Sequence, residues 1–372
     1  MKILLLDNAS LTPVTNDFCM YKATGEFALE LKKQGGNVTV FGQIVPSKNN
    51  VSSFKLIASG LNVIGIRRRK NKLLSYFFLY LRAIPEIIKA DFIYIFYPSS
   101  FKYVAVLCWL MRKPYGLYIR GEKAIQSKSS RWIYKKAFVI FTVTNYFTNL
   151  VQRLTNKNTA HTIRPMISLT EKDIAWERKY PNSRKDHYNI LFLARIDADK
   201  GIKELLQAIK LLKEKGFSFT LTVVGDGAYL PQATKLVQLL GISDVVSIRG
   251  RVLDPFLIKN YYLDADLYIL PTYHEGFPRT LYEAMIFGCP IITTFVGGIP
   301  GIMIDKFNCI GIEPKSVDSI VAGVEFAIKN HEQTSIYAIN GMATVSKIVD
   351  SNRATHAEHL FSILKEGVGN AK

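Results

Sequence analysis

Short apolar runs rich in β-branched and aromatic residues alternate with longer segments of helical periodicity along the chain. In the first half, the runs that predict strands are KILLL, NVTVF, LNVIGI, FIYIF, YGLYI and AFVIFTV. Apolar residues at helical spacing predict helices near residues 24–34, 73–89, 101–111 and 146–154. Strands that alternate with helices are typical of a parallel sheet, because parallel neighbours need a crossover connection.

The second half repeats this rhythm. Its predicted strands are YNILFLA, SFTLTVVG, VVSIRG, DLYILP, PIITT and CIGIE, and its predicted helices are IKELLQAIKLLKEKG, YLPQATKLVQLLG, PFLIKNYYLDA and RTLYEAMIFG. A chain of 372 residues exceeds one ordinary domain, and the polar stretch 167–187 lacks periodicity. We therefore predict an α/β protein of two doubly wound domains, residues 1–166 and 188–350. A linker at 167–187 joins them, and a C-terminal helix at 351–372 packs back across the junction.

Cysteine usage and hydropathy narrow the class of protein. The four cysteines lack the spacing of metal sites and lie in or beside apolar runs, so we expect reduced thiols packed as small apolar side chains. The first residues, MKILLLD, predict a strand rather than a signal peptide. No apolar run approaches the roughly 18 residues of a spanning helix. A cytoplasmic protein without a membrane-spanning helix is expected.

The net charge of +18 is unevenly distributed. Residues 1–186 contain 30 Lys and Arg against 11 Asp and Glu, whereas residues 187–372 contain 18 against 19, so the excess indicates an anionic partner of the first half. The run RRRKNK leads into the apolar helix LLSYFFLYL, which suits an anionic membrane surface. A solvated basic loop before a core helix explains the run equally well. No nucleic-acid-binding motif accompanies the charge, so nucleic acid is not a predicted partner.

The segment PTYHEGFPRTLYEAMIFGCPIITTFVGGIPG carries the most specific chemistry. A predicted strand feeds the turn GFP, a helix follows, and Glu275 and Glu283 stand eight positions apart. The amides of a helix's first turn favour negative charge. Carboxylates accept hydrogen bonds from hydroxyl pairs such as those of ribose and hexose rings. The segment therefore predicts a site for a sugar joined to a diphosphate.

A second motif, LFLARIDADKGIKELLQAI, places two cations where a predicted strand passes into a helix. Arg195 follows the strand, and Lys200 stands directly before Gly201 at the helix start. Two fixed cations neutralise a diphosphate and stabilise a departing nucleoside diphosphate most as its charge develops. On its own, the motif is equally consistent with surface side chains in a loop.

Three weaker motifs lie at other predicted strand ends. Gly225 and Asp226 in VVGDGAYL, and Gly298 in FVGGIPG, belong to glycine turns that permit close backbone approach to a ligand. Arg249 in VVSIRGRV stands where backbone groups are placed to read a nucleobase. Each of these turns is also compatible with an ordinary loop.

The pieces between residues 189 and 314 together resemble the nucleotide-sugar-binding domain of the retaining glycosyltransferases of family four, which have the GT-B fold. EGFPRTLYE matches the family's Glu-x7-Glu motif, and RIDADKG matches its R-x4-K-G pattern. The resemblance implies two Rossmann-like domains facing a central cleft. It also implies transfer of a sugar, with retained anomeric configuration and without a metal ion, from a nucleotide-sugar donor that is a substrate rather than a cofactor.

By position, the resemblance implies that Arg195 and Lys200 hold the diphosphate, that Glu275 contacts the donor sugar, and that Glu283 binds the ribose hydroxyls. We assign catalytic roles to the first three. Further donor-binding residues are assigned at the helix start, the glycine turns and the strand end that faces the nucleobase: Gly225, Asp226, Arg249, Gly276, Phe277, Thr280, Leu281 and Gly298.

The first half departs from the family pattern. Its first loop, DNASLTPVTNDF, contains no glycine, and Arg120-Gly121-Glu122 stands where many relatives carry a histidine–glycine pair. Arg120 and Glu122 are therefore candidates for the acceptor side of the reaction. A local ion pair is the alternative interpretation of either residue.

The predicted function is that of a cytoplasmic glycosyltransferase, peripheral on the inner face of the cell membrane. It would extend a lipid-linked glycan of a surface polysaccharide or glycolipid. Two alternatives are kept. A nucleotide-sugar epimerase of related architecture needs no acceptor and releases no nucleoside diphosphate, and a non-catalytic sugar-nucleotide-binding protein turns nothing over.

Overall fold

The structure, a computed structural model, describes residues 1–7, 11–45, 53–121 and 125–368. It divides into two compact units. The first holds Met1–Ile167 with the chain from Asn352 onward, and the second holds Ser168–Ser351. Most of the predicted linker, residues 168–187, therefore lies within the second unit.

The strands of the described residues are numbered along the chain. They are β1 (Lys2–Leu6), β2 (Thr12–Val14), β3 (Asp17–Met20), β4 (Asn37–Ile44), β5 (Phe54–Lys55), β6 (Asn62–Arg67), β7 (Phe92–Tyr97), β8 (Tyr115–Ile119), β9 (Val139–Thr142), β10 (Ala160–Thr162), β11 (Tyr188–Leu193), β12 (Phe219–Val224), β13 (Val246–Gly250), β14 (Leu267–Leu270), β15 (Ile291–Thr294) and β16 (Ile310–Ile312).

The α-helices are numbered in the same way. They are α1 (Lys22–Lys33), α2 (Lys72–Lys89), α3 (Val104–Leu110), α4 (Lys128–Lys136), α5 (Asn145–Thr155), α6 (Ile202–Glu214), α7 (Leu230–Leu239), α8 (Pro255–Asp264), α9 (Arg279–Ile286), α10 (Val317–Lys329), α11 (His331–Val349) and α12 (His356–Val368).

Each unit is built on one parallel sheet whose strand order begins in the middle. The first unit has the order β6-β4-β1-β7-β8-β9-β10, and the second has β13-β12-β11-β14-β15-β16. All neighbours in both sheets are parallel. In both sheets, the first strand (β1 or β11) is internal. The next two strands of the sheet (β4 and β6, or β12 and β13) lie on one side of it, and the later strands lie on the other side, which is the Rossmann order.

The predicted strands and helices all occur, together with several elements that the sequence patterns do not predict. The antiparallel sheet β2-β3-β5 and the edge strand β10 are two to four residues long, too short for an alternating pattern to show. Helix α4 is mostly polar, and α11 is only weakly amphipathic. Helix α10 is likewise not among the predicted helices. Helix α3 begins at Val104 rather than near residue 101, because turn hydrogen bonds occupy the residues before it.

The sheet of the first unit is covered on both faces. On one face, buried residues of α2, α3, α4 and α5 share a core with β1 and β7. On the other face, buried residues of α1 and α12 pack against the same two strands. All four cysteines of the chain are buried and unpaired, which agrees with their prediction as packing residues. Among the described residues, no helix has the length and apolarity that crossing a bilayer requires.

Helix α12 contributes a buried histidine to the core of the first unit. Nε2 of His356 lies 2.6 Å from the hydroxyl oxygen of Tyr94, and the imidazole ring centre lies 4.5 Å from that of Phe27. Burial lowers the pKa of His356 to about 3, so the ring is neutral near physiological pH. The helix predicted at the C-terminus therefore exists, and it packs on α1.

Candidate functional site

The carboxyl ends of the second unit's strands lie at one edge of its sheet, because all of them are parallel. Residues predicted from the motifs lie at or after the ends of β11, β12, β13, β14 and β15: Arg195, Lys200, Gly225, Asp226, Arg249, Glu275, Gly276, Phe277 and Gly298. Backbone hydrogen bonds join the first three loops. The Gly225 amide donates to the Gly250 carbonyl at 2.8 Å, and the Ile196 amide donates to the Asp226 carbonyl at 3.0 Å.

Lys200 and Glu275 form the charged centre of this edge. The Nζ atom of Lys200 donates to Oε1 of Glu275, and the two side chains are only 9% and 19% exposed. Oδ2 of Asp199 lies 3.8 Å from the same ammonium group. Since an ammonium group has three N–H donors, Lys200 retains donors for an anion after it bonds Glu275.

The ionisation of Glu275 depends on this neighbour. Burial raises the pKa of Glu275, and the charge and hydrogen bond of Lys200 oppose that shift without cancelling it. A weaker opposing effect comes from the charge of Arg195. A buried carboxylate balanced by one ammonium group is a recurrent feature of functional sites.

Hydrogen bonds from two threonines and a backbone amide hold Lys200 against Glu275. The carbonyl of Asp199 accepts from the Tyr273 amide at 2.8 Å and from Oγ1 of Thr272 at 3.2 Å. Oγ1 of Thr294, the last residue of β15, donates to the Thr272 carbonyl at 2.7 Å. The segment before Lys200 is therefore attached to the segment before Glu275. Thr272 is not among the predicted site residues, because a threonine after a buried strand carries no specific signal.

Two glycines allow the backbones of neighbouring loops to approach closely. Gly225 has a φ of +145°, and a Cβ atom there would lie 1.9 Å from the carbonyl oxygen of Ala194. Gly297 has a φ of +58°, and a Cβ atom there would lie 1.8 Å from the carbonyl oxygen of Glu275. Neither position accommodates a side chain, so the glycine turn after β15 lies directly against the backbone of Glu275.

Glu283 is the fifth residue of α9, and its partner is a tyrosine rather than a cation. The hydroxyl of Tyr262, in α8, donates to Oε2 of Glu283 at 2.9 Å. Burial raises the pKa of Glu283, whereas the bond from Tyr262 and the charge of Arg279 lower it. Tyr262 is not among the predicted site residues, because the sequence of its helix is typical of an ordinary core helix.

At the start of α9, some backbone groups already have hydrogen-bond partners within the protein. The Leu281 amide donates to the Pro278 carbonyl at 3.1 Å, so the amide of one of the two residues assigned to the donor at this helix start already has a partner. The carbonyl of the other residue, Thr280, lies 3.3 Å from the Tyr262 hydroxyl. In the loop before α9, Gly276 precedes Phe277, which is buried with its ring centre 4.4 Å from that of Tyr282.

The remaining assigned residues of the second unit differ in exposure. The side chain of Arg195 is 67% exposed, and its Nε lies 2.7 Å from Oδ2 of Asp197. Arg249 is exposed near the end of β13. Oδ1 of Asp226 accepts from the amide of the next residue at 2.8 Å, and Gly298 directly precedes the short 3-10 turn Ile299–Gly301. Arg195 therefore has to exchange Asp197 for a phosphate if it acts as predicted.

In the first unit, Arg120 is paired with an acid that is distant in the sequence and is not among the predicted site residues. Nη2 of Arg120 lies 3.1 Å from Oδ1 of Asp7, the residue directly after β1. The guanidinium carbon lies 4.9 Å from the centre of the Phe96 ring. Glu122, the other predicted residue of the acceptor side, lies outside the described residues.

Residues 173–342 match the model of a protein family described as glycosyl transferases group 1. The matched segment contains every candidate residue of the second unit, whereas Arg120 and Glu122 lie outside it.

One curated relative extends the similarity beyond this segment. An uncharacterized glycosyltransferase of Methanocaldococcus jannaschii is 31% identical over 264 residues, which span 68% of this chain and 67% of that protein. The capsular polysaccharide biosynthesis glycosyltransferase CapM of Staphylococcus aureus is 27% identical over 180 residues. That match spans 45% of this chain and 44% of CapM, so it covers less than half of either protein.

Solved structures show the same fold. The crystal structure of Anabaena HepE in complex with UDP matches with a TM-score of 0.70 and 16% identity, and the match covers 100% of both chains. At this identity the similarity bears on the fold alone. It confirms the predicted α/β architecture of the GT-B type, with two Rossmann-like domains.

Proposed function

Because the chain belongs to the group 1 glycosyl transferases, we propose that it moves a sugar, with retained anomeric configuration, from a nucleotide-sugar donor to a lipid-linked glycan. The observation that carries the proposal is the buried Lys200–Glu275 pair at the carboxyl edge of the second sheet. The ammonium group can donate charge-assisted hydrogen bonds to a phosphate, and the carboxylate can accept hydrogen bonds from sugar hydroxyls. The UDP bound to Anabaena HepE supports a nucleotide donor.

In the proposed reaction, the bond between the anomeric carbon and the diphosphate oxygen breaks while the acceptor hydroxyl bonds to that carbon from the same face. The acceptor proton passes to the departing phosphate oxygen. Arg195 and Lys200 stabilise the charge that develops on the diphosphate. Glu275 holds sugar hydroxyls, Glu283 holds ribose hydroxyls, and the Thr280 amide assists the phosphates from the start of α9.

A panel of nucleotide sugars tests this proposal. One donor should raise the thermal midpoint of unfolding by mass action. That donor should be hydrolysed slowly to nucleoside diphosphate and a free sugar, and the sugar should be released with the donor's anomeric configuration. Hydrolysis should continue in the presence of EDTA, because the proposal includes no metal ion or cofactor. A lipid-linked acceptor should accelerate the release. Isomerisation without release would identify an epimerase instead, and a stable complex without turnover would identify a binding protein.

The proposed acceptor is a growing surface glycan carried on a membrane lipid. The name of CapM, which refers to capsular polysaccharide biosynthesis, supports the glycan. An apolar stripe on α2 supports the membrane. Leu73, Phe77 and Leu81 stand four positions apart and are 80%, 61% and 53% exposed. Helix α3, which covers the same face of the sheet, exposes Trp109 and Leu110.

Basic residues accompany this apolar stripe. Residues 67–70, which lie shortly before α2, are all exposed, and the guanidinium carbon of Arg69 lies 3.7 Å from the centre of the Phe78 ring. Attraction to anionic lipids contributes about 1 kcal/mol for each Lys or Arg near the surface. Peripheral association with an anionic membrane surface on the cytoplasmic side is therefore part of the proposal, because it brings the enzyme to a lipid-linked acceptor.

Replacing Phe77 and Leu81 with Ser should weaken binding to phosphatidylglycerol vesicles about 10-fold or more, since two apolar side chains no longer enter the bilayer interface. Co-sedimentation at low and high salt measures this effect. The matched control is Leu239→Ser, because Leu239 is 72% exposed in α7 of the second unit and should be dispensable. Absence of wild-type co-sedimentation at low salt, or an equal effect of the control, would contradict the membrane proposal.

A further inference from the structure

Tyr262 places a buried hydroxyl group against the carboxylate of Glu283. The hydroxyl oxygen lies 2.9 Å from Oε2 of Glu283 and 3.3 Å from the carbonyl oxygen of Thr280. The tyrosine is fully buried, and its ring centre lies 5.6 Å from that of Tyr268 and 5.7 Å from that of Phe287. Its hydroxyl group therefore has a fixed position relative to the first turns of α9.

Arg178 fixes α8 relative to α9. Its guanidinium group donates to the carbonyls of Tyr262, Ala265 and Phe287. Tyr262 lies within α8, and Phe287 directly follows α9. These hydrogen bonds tie the two helices together and maintain the distance that the contact between Tyr262 and Glu283 requires.

Burial determines the direction of this hydrogen bond. Burial raises the pKa of Tyr262 well above its ordinary value, and the nearby charge of Glu283 raises it further, so the hydroxyl keeps its proton and donates. The carboxylate accepts through Oε2. Within the part of the chain that the structure describes, the other oxygen of Glu283, Oε1, makes no hydrogen bond.

We propose that Tyr262 is a positioning residue for nucleotide binding: it keeps the Glu283 carboxylate charged and leaves Oε1 directed toward the vicinal hydroxyls of the donor's ribose. The inference rests on the proposed function, in which Glu283 binds the ribose. A buried carboxylate that loses its hydrogen-bond donor is protonated at a higher pH, and the neutral acid accepts weaker hydrogen bonds. Loss of the hydroxyl group therefore affects the nucleotide through Glu283, without direct contact.

Tyr262→Phe removes the hydroxyl group and keeps the ring. Titration calorimetry with UDP, GDP, ADP and CDP identifies which nucleotide the wild type binds, and the variant is then compared over a range of pH. We expect about 10-fold weaker binding near neutral pH, and a loss of affinity in acid that begins at a higher pH than in the wild type. The 2′,3′-dideoxy form of that nucleotide lacks both ribose hydroxyls, so it should bind wild type and variant equally.

Tyr268→Phe is the matched control. Tyr268 is also fully buried, and its hydroxyl donates to the Leu193 carbonyl at 3.1 Å. This variant should lose affinity in acid at the same pH as the wild type.

Should Tyr262→Phe fail to fold, 3-fluorotyrosine incorporated at position 262 keeps the shape of the side chain and has a more acidic hydroxyl group. Its stronger hydrogen bond should move the acid loss to a lower pH.

Equal affinity and equal pH dependence in the wild type and Tyr262→Phe would overturn the inference. It would also be overturned if the variant weakened binding of the dideoxy nucleotide as much as that of the natural one, or if fluorotyrosine left the acid loss unmoved. Failure of the wild type to bind any of the four nucleotides would contradict the proposed function itself, and the inference with it.

Discussion

Replacing Lys200 with Ala is expected to reduce turnover about 10²–10³-fold, the loss that follows removal of one group that stabilises developing charge. The ammonium group is buried in contact with Glu275, at the edge where the diphosphate is proposed to bind. The second cation, Arg195, is already proposed to stabilise the same diphosphate, so it does not replace the missing charge. Initial rates of nucleoside diphosphate release at saturating donor measure the effect.

The same substitution leaves a buried carboxylate without its counter-charge, which costs about 3–5 kcal/mol of stability when one partner of a buried pair is removed. The midpoint of denaturant unfolding should fall in Lys200→Ala and recover in Lys200→Ala/Glu275→Gln, because the second change removes the uncompensated charge. Turnover should stay low in both. Lys203→Ala is the control, since Lys203 is an exposed lysine of α6. Full turnover in Lys200→Ala would contradict its proposed role.

Gly297→Ala is expected to remove most activity and to destabilise the second unit by about 2–5 kcal/mol, the sum of a left-handed conformation and an overpacked contact. The added Cβ atom would lie 1.8 Å from the carbonyl oxygen of Glu275, so one of the two backbones has to move. Displacement of that backbone carries the Glu275 carboxylate away from Lys200. Urea denaturation and donor hydrolysis measure the two effects.

Gly241→Ala separates the two causes. Gly241 has a similar φ of +64°, but a Cβ atom there would meet nothing within 4 Å. This control should lose only about 1–2 kcal/mol, and its donor hydrolysis should equal that of the wild type. If both alanine variants lost stability and activity equally, the contact between Gly297 and the Glu275 backbone would have no role in the site.

The proximity of Lys200 and Glu275 follows from a simple geometric rule of the parallel sheet. Lys200 and Glu275 are 75 positions apart, yet the strands that precede them, β11 and β14, are adjacent in the sheet. Parallel strands present their carboxyl ends at one edge, so residues that follow two neighbouring strands meet there. Recognition of RIDADKG and EGFPRTLYE as loops after strands places both residues at one edge of the sheet, and the adjacency of β11 and β14 brings them into contact.

The partners of the acidic residues were not predictable in this way. Tyr262 lies in PFLIKNYYLDA, where an aromatic residue at helical spacing indicates a core position, and it is indeed buried. Only the packing of α8 against α9 brings its hydroxyl group to Glu283. Arg120 was considered for a pair with nearby Glu122, whereas it bonds Asp7, which is 113 positions away in the sequence. Such contacts depend on packing between elements, which local patterns do not encode.

The passage of the chain back to its first unit has a consequence for biosynthesis. The last strand of the first sheet along the chain is β10. The part of the first unit's core around Tyr94 and Phe27, however, is completed only by His356 and the rest of α12. The second unit, Ser168–Ser351, is continuous in sequence. During translation the second unit can therefore fold as soon as it leaves the ribosome. The first unit, although most of it is synthesised earlier, is complete only after α12 has been synthesised.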